Sequence, residues 1–488
     1  MALLEPRDWE GKIRVGDAWT DGGAGVHPVV SPSTGEELGR IGHASAADVR
    51  RAAEAASAAQ RDWAGLPYTE RAAVLRRAGD LYQQHAAEIE QWLRTETGAA
   101  PGMAGFQIGT TAQEFYEAAA LASAPYGEVL RTAVPGRTSF SRQVPVGVVG
   151  VIAPFNVPTI LAIRAVAPAL ALGNAVLLKP DPRTSVSGGV VFARILEEAG
   201  LPAGLLSVLP GGAETGSAVI EDPAVRVIAF TGSTRAGRAI GELAGRHLKR
   251  VHLELGGNSA IVVLPGTDPS AASSVGAFGS FNHQGQICMV AGRHLVHSSL
   301  AEEYTANLAA RADKLTVGDP ASGDVALGPI IDERQRDNIH AIVTETLAAG
   351  AELRAGGTYD RLFYRPTVLG SVPADSRAFR EEIFGPVAPV TVFDTVDEAV
   401  ELARSSEYGL SLSVLGPDPA AAYAVAERIP SGLVHINDQT VQDEAVAPFG
   451  GVLDSGTGGR HGGTRANLES FTETRWTTIR ADLPQYPF

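Results

Sequence analysis

The chain has 488 residues, which at roughly 100 to 200 residues per domain allows two to four domains with large buried cores. Hydrophobic residues make up 44% and charged residues 19%, which excludes a disordered acidic polypeptide although 40 Lys and Arg face 55 Asp and Glu, a formal charge of −15. That negative field disfavours phosphate backbones, and no block of Lys and Arg makes a local exception, so nucleic acid is not an expected partner.

The N-terminal stretch Met1–Glu10 has no basic region followed by an apolar one, and the single cysteine, Cys288, excludes an intrachain disulfide and a cysteine-rich metal cluster. A reducing, cytoplasmic setting is the expectation. From Ser45 to about Leu81 an Ala-rich pattern with spaced apolar residues predicts amphipathic helices opened by Ser45 and Thr69. Val144 to Ile163 runs twenty residues without a charge, but Pro145, Pro154 and Pro158 would break a helix in lipid. Val146–Ile152 reads instead as a buried strand, and no membrane span is expected.

From there β-like and helical runs alternate: Val146–Ala153, Ile160–Leu172, Ala175–Leu178, Gly188–Ala199, Leu206–Leu209 and Val225–Phe230. This rhythm predicts parallel β-α-β units in an α/β, doubly wound, Rossmann-type sheet whose ligands sit at the carboxyl ends of the strands. A second α/β unit begins at Ser259–Leu264 and continues through Gly276–Gln284, Arg293–His297 and Ala388–Phe393 to Val434–Asn437. Gly450 to Gly463 is a glycine-rich loop, and Phe471–Ile479 a short β-like tail. There is no internal repeat.

Cys288 lies in Phe281-Asn-His-Gln-Gly-Gln-Ile-Cys-Met289, between a helical run and a β-like one. A nucleophilic thiol needs a lowered pKa and access to substrate, whereas a lone cysteine also serves as a small buried hydrophobe. Glu254, in Val251-His-Leu-Glu-Leu-Gly-Gly-Asn258, is a carboxylate in an apolar run; buried, its raised pKa suits a general base, and exposed, it is an edge glutamate. Phe230-Thr-Gly-Ser-Thr-Arg-Ala-Gly-Arg238 follows a strand and opens a helix, so Gly232, Ser233 and the helix N-terminus are candidates to meet a pyrophosphate. The segment is neither a dinucleotide Gly-x-Gly-x-x-Gly nor a Walker loop. Lys179 closes a strand, where a solvated lysine is the plain alternative. Asn156, in Pro154-Phe-Asn-Val-Pro158, is a turn residue or a donor to a developing oxyanion. Glu382 is a candidate for a ribose diol and Phe384 for packing on a flat ring. His283 and His461 stand in no metal-like spacing, and no metal is expected.

Together Pro154-Phe-Asn156, Leu178-Lys-Pro180, Phe230-Thr-Gly-Ser-Thr234, Glu254-Leu-Gly-Gly257, Gly285-Gln-Ile-Cys288, Glu382-Ile-Phe-Gly-Pro386 and Pro448-Phe-Gly-Gly451 resemble, in order, the NAD(P)-dependent aldehyde dehydrogenase superfamily. The resemblance implies Cys288 as nucleophile, Glu254 as activator of the deacylating water, and an oxyanion hole of Asn156 with the Cys288 N–H. It implies cofactor contacts at Pro154, Phe155, Lys179, Gly232, Ser233, Glu382 and Phe384, with Lys179 on the adenosine ribose and Glu382 on the nicotinamide ribose. Members that pass the acyl group to coenzyme A typically lack this glutamate, so Glu254 implies a free acid product.

Phe281–Met289, Leu178–Thr184 and Val434–Thr440 are similar to the bacterial benzaldehyde dehydrogenases and their vanillin and salicylaldehyde relatives. A small aromatic aldehyde is the implied substrate; an aliphatic semialdehyde or a non-catalytic scaffold is the rival reading. Arg164 lies eight residues after Asn156; a helical segment there would put the two on one face, which makes Arg164 a candidate to reach the substrate ring or its polar substituent. Phe449 stacks on the same ring or is plain core. Many NAD-preferring members carry Glu three residues after the lysine, and here that position is Pro182; with Asp181 nearby, NAD is expected and NADP is possible. The implied division is a dinucleotide-binding domain at 1–130 and 145–255, a catalytic domain at 256–445, and an oligomerisation hairpin and tail at 131–144 and 466–488 that pair with a partner's sheet in a homodimer or homotetramer.

Overall fold

The computed structural model describes residues 3–488. One seven-stranded sheet runs in the order Arg250–Glu254, Val225–Thr231, Val148–Ile152, Ala175–Lys179, Leu206–Val208, Lys12–Val15 and Ala18–Asp21. The first five strands are parallel and the last two form an antiparallel edge. Val148–Ile152 and Ala175–Lys179 are buried at every position, as unbroken apolar runs in a doubly covered sheet must be. From Val148–Ile152 the chain winds one way through Ala175–Lys179 and Leu206–Val208, then the other way through Val225–Thr231 and Arg250–Glu254. That reversal leaves a crevice at the carboxyl ends of the strands.

The apolar stretch around Val144–Ile163 is split between the strand Val148–Ile152 and the helix Pro158–Ala171, in which Leu161 alone is not fully buried. Pro158 at the first helical position costs no hydrogen bond, because that N–H has no intrahelical partner in any helix. Among the described residues no helix is long and apolar enough to cross a membrane. Ser45 opens the helix Ala46–Gly65 through a reciprocal bond with Asp48. Thr69 does not cap the next helix, which begins at Tyr68: Pro67, at φ −51° and ψ 139°, takes the capping position two residues earlier and leaves Thr69 inside the first turn.

The second sheet runs Glu352–Ala355, Thr367–Gly370, Val387–Phe393, Ala291–His297, Ser259–Val263, Ser411–Leu415 and Leu433–Ile436, parallel except for its first strand. The chain changes sheet between Glu254 and Ser259. A three-stranded sheet stands apart, in which Arg137–Pro145 pairs antiparallel with Gly127–Leu130 and with Thr472–Arg480. The 131–144 segment is thus mostly the middle strand of a sheet closed within one chain, because the tail supplies its second neighbour. Val129, Trp476 and Ile479 remain exposed on this sheet.

Candidate active site

The carboxyl ends of the first sheet gather Pro154, Phe155 and Asn156 after Ile152, Lys179 at the end of its strand, Gly232 and Ser233 after Thr231, and Glu254. The second half of the chain delivers Cys288 to them through a strained turn. After the helix Pro269–Phe281, His283, Gln284 and Gly285 take positive φ of 52°, 56° and 68°. A Cβ on Gly285 would strike the Gly385 carbonyl, so close approach as well as φ demands glycine there. Buried hydrogen bonds hold the two non-glycine residues: His283 Nε2 lies 2.7 Å from the Asn156 carbonyl, and Gln284 Nε2 donates to the Gly98 and Pro329 carbonyls at 3.1 and 3.2 Å. Burial pushes the His283 pKa down to about 4, so the ring is neutral and its Nε2–H is the donor. Asn156 Nδ2 donates to the Gln286 carbonyl at 2.8 Å. An amide carries two such hydrogens, and this bond uses one.

Cys288 lies in the wall between two cavities and, with Asn156 and Leu161, lines both. The first, about 560 Å³, is walled by Met103, Phe106, Ile160, Phe278, Ile287 and Phe449, with Asn282, Gln439, Gln442 and Asp443 as polar lining. The second, about 360 Å³, is bordered by Lys179, Gly232, Ser233, Glu382 and Phe384. Burial pushes the Cys288 thiol well above the ordinary cysteine range, and Glu382, Glu254 and Asp443 push it further. The lowered pKa expected of a nucleophile is therefore not a property of this geometry, because carboxylates and no cation act on the sulfur.

On the side of the second cavity, Lys179 is buried and donates to the Pro180 carbonyl at 3.2 Å, and burial lowers its pKa. Glu382 accepts from the Gly257 N–H at 2.9 Å, and burial raises its pKa to about 7. A Cβ on Gly256 would strike this carboxyl group. Phe384, at φ 53°, meets Phe155 edge-on at 5.9 Å, and the Arg183 guanidinium lies 4.2 Å from the Phe155 ring centre. Asp181 is bound by Arg183, with Nε at 2.9 Å, and Arg183 also reaches Asp332 at 2.6 Å. One expectation fails in detail. The Gly232 N–H donates to the Glu254 carbonyl at 3.0 Å, so it is not free for a phosphate; the helix Thr234–Arg246, capped by Ser233, offers its own N-terminal donors instead.

Glu254 is buried but lines neither cavity. Its Oε1 lies 3.0 Å from His252 Nε2, while Oε2 has no hydrogen-bond partner. Burial raises its pKa, and His252, Arg460 and Arg164 oppose that rise. Arg164 does not reach a substrate ring. It is fully enclosed between Glu114, at 3.0 Å, and Asp443, at 2.5 Å, because a buried guanidinium is tolerable only when paired. Phe449 does line the first cavity, and Arg164 stacks behind it at 4.9 Å. Among the described residues no group of His, Cys, Asp and Glu is arranged to hold a metal ion.

The family model of aldehyde dehydrogenases matches residues 19–477. The chain belongs to the aldehyde dehydrogenase family. It is 60% identical over 488 residues, covering all of both chains, to a vanillin dehydrogenase of an Amycolatopsis strain. It is 48% identical over 480 residues, 98% of each chain, to a benzaldehyde dehydrogenase [NAD(+)] of Pseudomonas putida. Among solved structures, a salicylaldehyde dehydrogenase from Pseudomonas putida G7 complexed with salicylaldehyde superimposes with a TM-score of 0.95 at 36% identity, covering 98% of this chain and 100% of that one. A betaine aldehyde dehydrogenase from Staphylococcus aureus in complex with NAD+ has the same TM-score at 28% identity, covering 100% and 98%.

Sequence reasoning missed His252, Asp443, Arg183 and the role of His283 in holding Asn156. His252 carries a local signal: it alternates with Glu254 along one strand, so both side chains leave the same face. The other contacts, Asp443 to Arg164, Arg183 to Asp332 and His283 to Asn156, span 127 to 279 positions, and no local pattern marks them.

Proposed function

We propose that this family member oxidises a benzaldehyde-type aromatic aldehyde to the carboxylic acid with NAD, through a thioester on Cys288. The observation that carries the reading is the position of Cys288 in the wall shared by an aromatic-lined cavity and a second cavity of mixed polar and apolar lining. The second cavity suits a dinucleotide: it offers an ammonium at Lys179, a carboxyl group at Glu382, a helix N-terminus at Ser233 and a glycine-lined face at Gly256. The Pseudomonas putida relative is named for NAD(+), which supports NAD as the cofactor; Asp181 lines the same cavity but its charge is paired with Arg183, so NADP remains a possible ligand. When bound, this group supplies the hydride acceptor for the aldehyde C–H and a positive ring near the sulfur.

The Cys288 thiolate adds to the aldehyde carbon, and the Asn156 amide with the Cys288 N–H holds the resulting alkoxide. Loss of hydride leaves the thioester. Glu254 takes a proton from water, the water oxygen bonds to the acyl carbon, and the C–S bond breaks to return the thiolate. The aliphatic semialdehyde reading asks for a cation to meet a distal carboxylate. The first cavity has none: its charged lining residues are Asp324 and Asp443, which repel such a substrate. The names of the vanillin, benzaldehyde and salicylaldehyde dehydrogenase relatives support the aromatic reading. The exposed apolar side chains of the three-stranded sheet support assembly as a homodimer or homotetramer.

The test is the appearance of reduced cofactor with benzaldehyde, hydroxylated benzaldehydes and succinic semialdehyde, each with NAD and NADP, beside the Cys288→Ala protein. Turnover of aromatic aldehydes that vanishes in the variant is the expected result. A Cys288-dependent signal with the semialdehyde alone overturns the substrate assignment, and silence throughout overturns the enzyme reading.

A further inference from the structure

A cluster of buried ionisable groups lies behind Cys288 and enters none of the steps above except through Glu254. His252 and Glu254 stand two residues apart on one strand, on the same face, with Nε2 and Oε1 3.0 Å apart. The imidazole is fixed from its other sides by the C-terminal part of the chain. Its Nδ1 lies 3.1 Å from the Ser470 hydroxyl, and its ring stacks on His461 at 3.7 Å with a 28° interplanar angle. His461 in turn stacks on Phe471 and is tied by two backbone bonds to Phe449 in the cavity wall. A ring stacked on one face and held at one nitrogen presents the other nitrogen in a set direction.

The clamp bears on protonation. The Ser470 hydroxyl has one hydrogen and two acceptors in reach, Nδ1 at 3.1 Å and the Arg460 carbonyl at 3.2 Å. Given to Nδ1, it leaves Nε2 as the donating nitrogen, aimed at Oε1, and a hydrogen bond to the charged form favours the carboxylate. Room for the docked carboxyl comes from Gly450, where a Cβ would lie 2.8 Å from Oε1. The charged and titratable groups around Glu254 are His252 on its own strand, Arg460 and His461 from the glycine-rich loop, Arg164 with Glu114 and Asp443 from the helix side, and Cys288 from the cavity wall.

Resting on the reading of Glu254 as the hydrolytic base, we propose that His252 is its positioning residue: it docks the carboxyl group behind the cavity wall and keeps it ionised until the thioester requires a base. His252 touches neither substrate nor sulfur and acts only through Glu254. The step it serves is deacylation, so formation of the thioester should not depend on it.

The test uses the full chain with NAD and benzaldehyde, reading the pre-steady-state burst of reduced cofactor and the pH profile of kcat. His252→Phe keeps the ring stacked on His461 and removes both nitrogens. It is expected to leave the burst rate within about twofold and to move the acid limb of kcat up by about one pH unit, which lowers kcat about tenfold at pH values on that limb. His252→Gln, which still offers an N–H to the carboxylate, should recover most of the loss. Ser470→Ala frees the imidazole tautomer and should shift the limb the same way by less; it decides the matter if the phenylalanine variant does not fold. An unchanged pH profile and an unchanged ratio of burst rate to kcat in both His252→Phe and Ser470→Ala overturn the proposal, even where thermal stability falls. If Glu254→Gln leaves turnover intact, the reading of Glu254 itself fails; if it abolishes turnover while the other variants behave as the parent, only the role of His252 fails.

Discussion

Replacing Arg164 by Met removes the one cation between Glu114 and Asp443 while nearly conserving its volume. Breaking one side of a buried ion pair costs about 3–5 kcal/mol when the remaining charge cannot escape. Asp443 borders a cavity and can be hydrated, whereas Glu114 is 3% exposed and cannot. Glu114 has another way out. Burial already lifts its pKa to about 7 against the pull of Arg164, so without the guanidinium it rises further and the carboxyl takes a proton. The cost of the substitution is then small at about pH 6, where Glu114 is protonated in both proteins, and grows by about 1.4 kcal/mol per pH unit above about pH 7, to about 2 kcal/mol at about pH 8.5 and toward the full figure only at higher pH. At about 2 cal/mol/K per residue, 488 residues unfolding together change free energy by about 1 kcal/mol per degree, so the melting temperature should fall by about 2 °C more at about pH 8.5 than at about pH 6. Scanning calorimetry at both pH values, on the variant and on the Arg164→Met, Glu114→Gln double variant, measures this directly. The reasoning is refuted if the drop is the same at both pH values, or if it is undiminished when Glu114 is already neutral.

Other outcomes follow from the site. Asn156→Ala should lower kcat by about 10²–10³ with a small change in aldehyde KM, since a lost oxyanion donor acts on the transition state; steady-state kinetics showing less than about a tenfold drop would remove Asn156 from that role. The proposed role of Glu382 on a ribose diol calls for the carboxylate, and burial pushes its pKa up to about 7, so the KM for NAD should fall as pH rises from about 6 to 8. Glu382→Gln should flatten that dependence, and a flat profile in the parent would contradict the assignment. Because burial and three carboxylates raise the Cys288 thiol, alkylation by iodoacetamide without cofactor should still be accelerating at about pH 9; a plateau near neutrality, followed by intact-protein mass spectrometry, would show a thiolate that this geometry does not support.

Much of the framework was legible locally. Val148–Ile152 and Ala175–Lys179 are short, valine- and leucine-rich apolar runs ending at prolines or polar turns, the local pattern of strands in a covered parallel sheet. The Ser45 cap was legible for the same reason, since its bond to Asp48 spans three residues. Asn156, Lys179, Glu254, Cys288 and Glu382 stood out because their motifs are short and ordered along the chain. What those residues experience was not legible. The expectation that Arg164 faces a substrate ring follows from helix spacing, yet two carboxylates 50 and 279 positions away claim its guanidinium. The glycine of the Phe230–Thr234 motif looked free to meet a phosphate, and the neighbouring strand takes its N–H. His252 lies beside Glu254 in sequence, but the serine and the second histidine that clamp it arrive from the far end of the chain. Strand and helix pattern, capping and motif order are properties of a few consecutive residues, and the sequence by itself determined them. Burial, charge pairing and the pKa of the thiol are sums over every segment that packs against a group, and only the tertiary structure decided which segments those are.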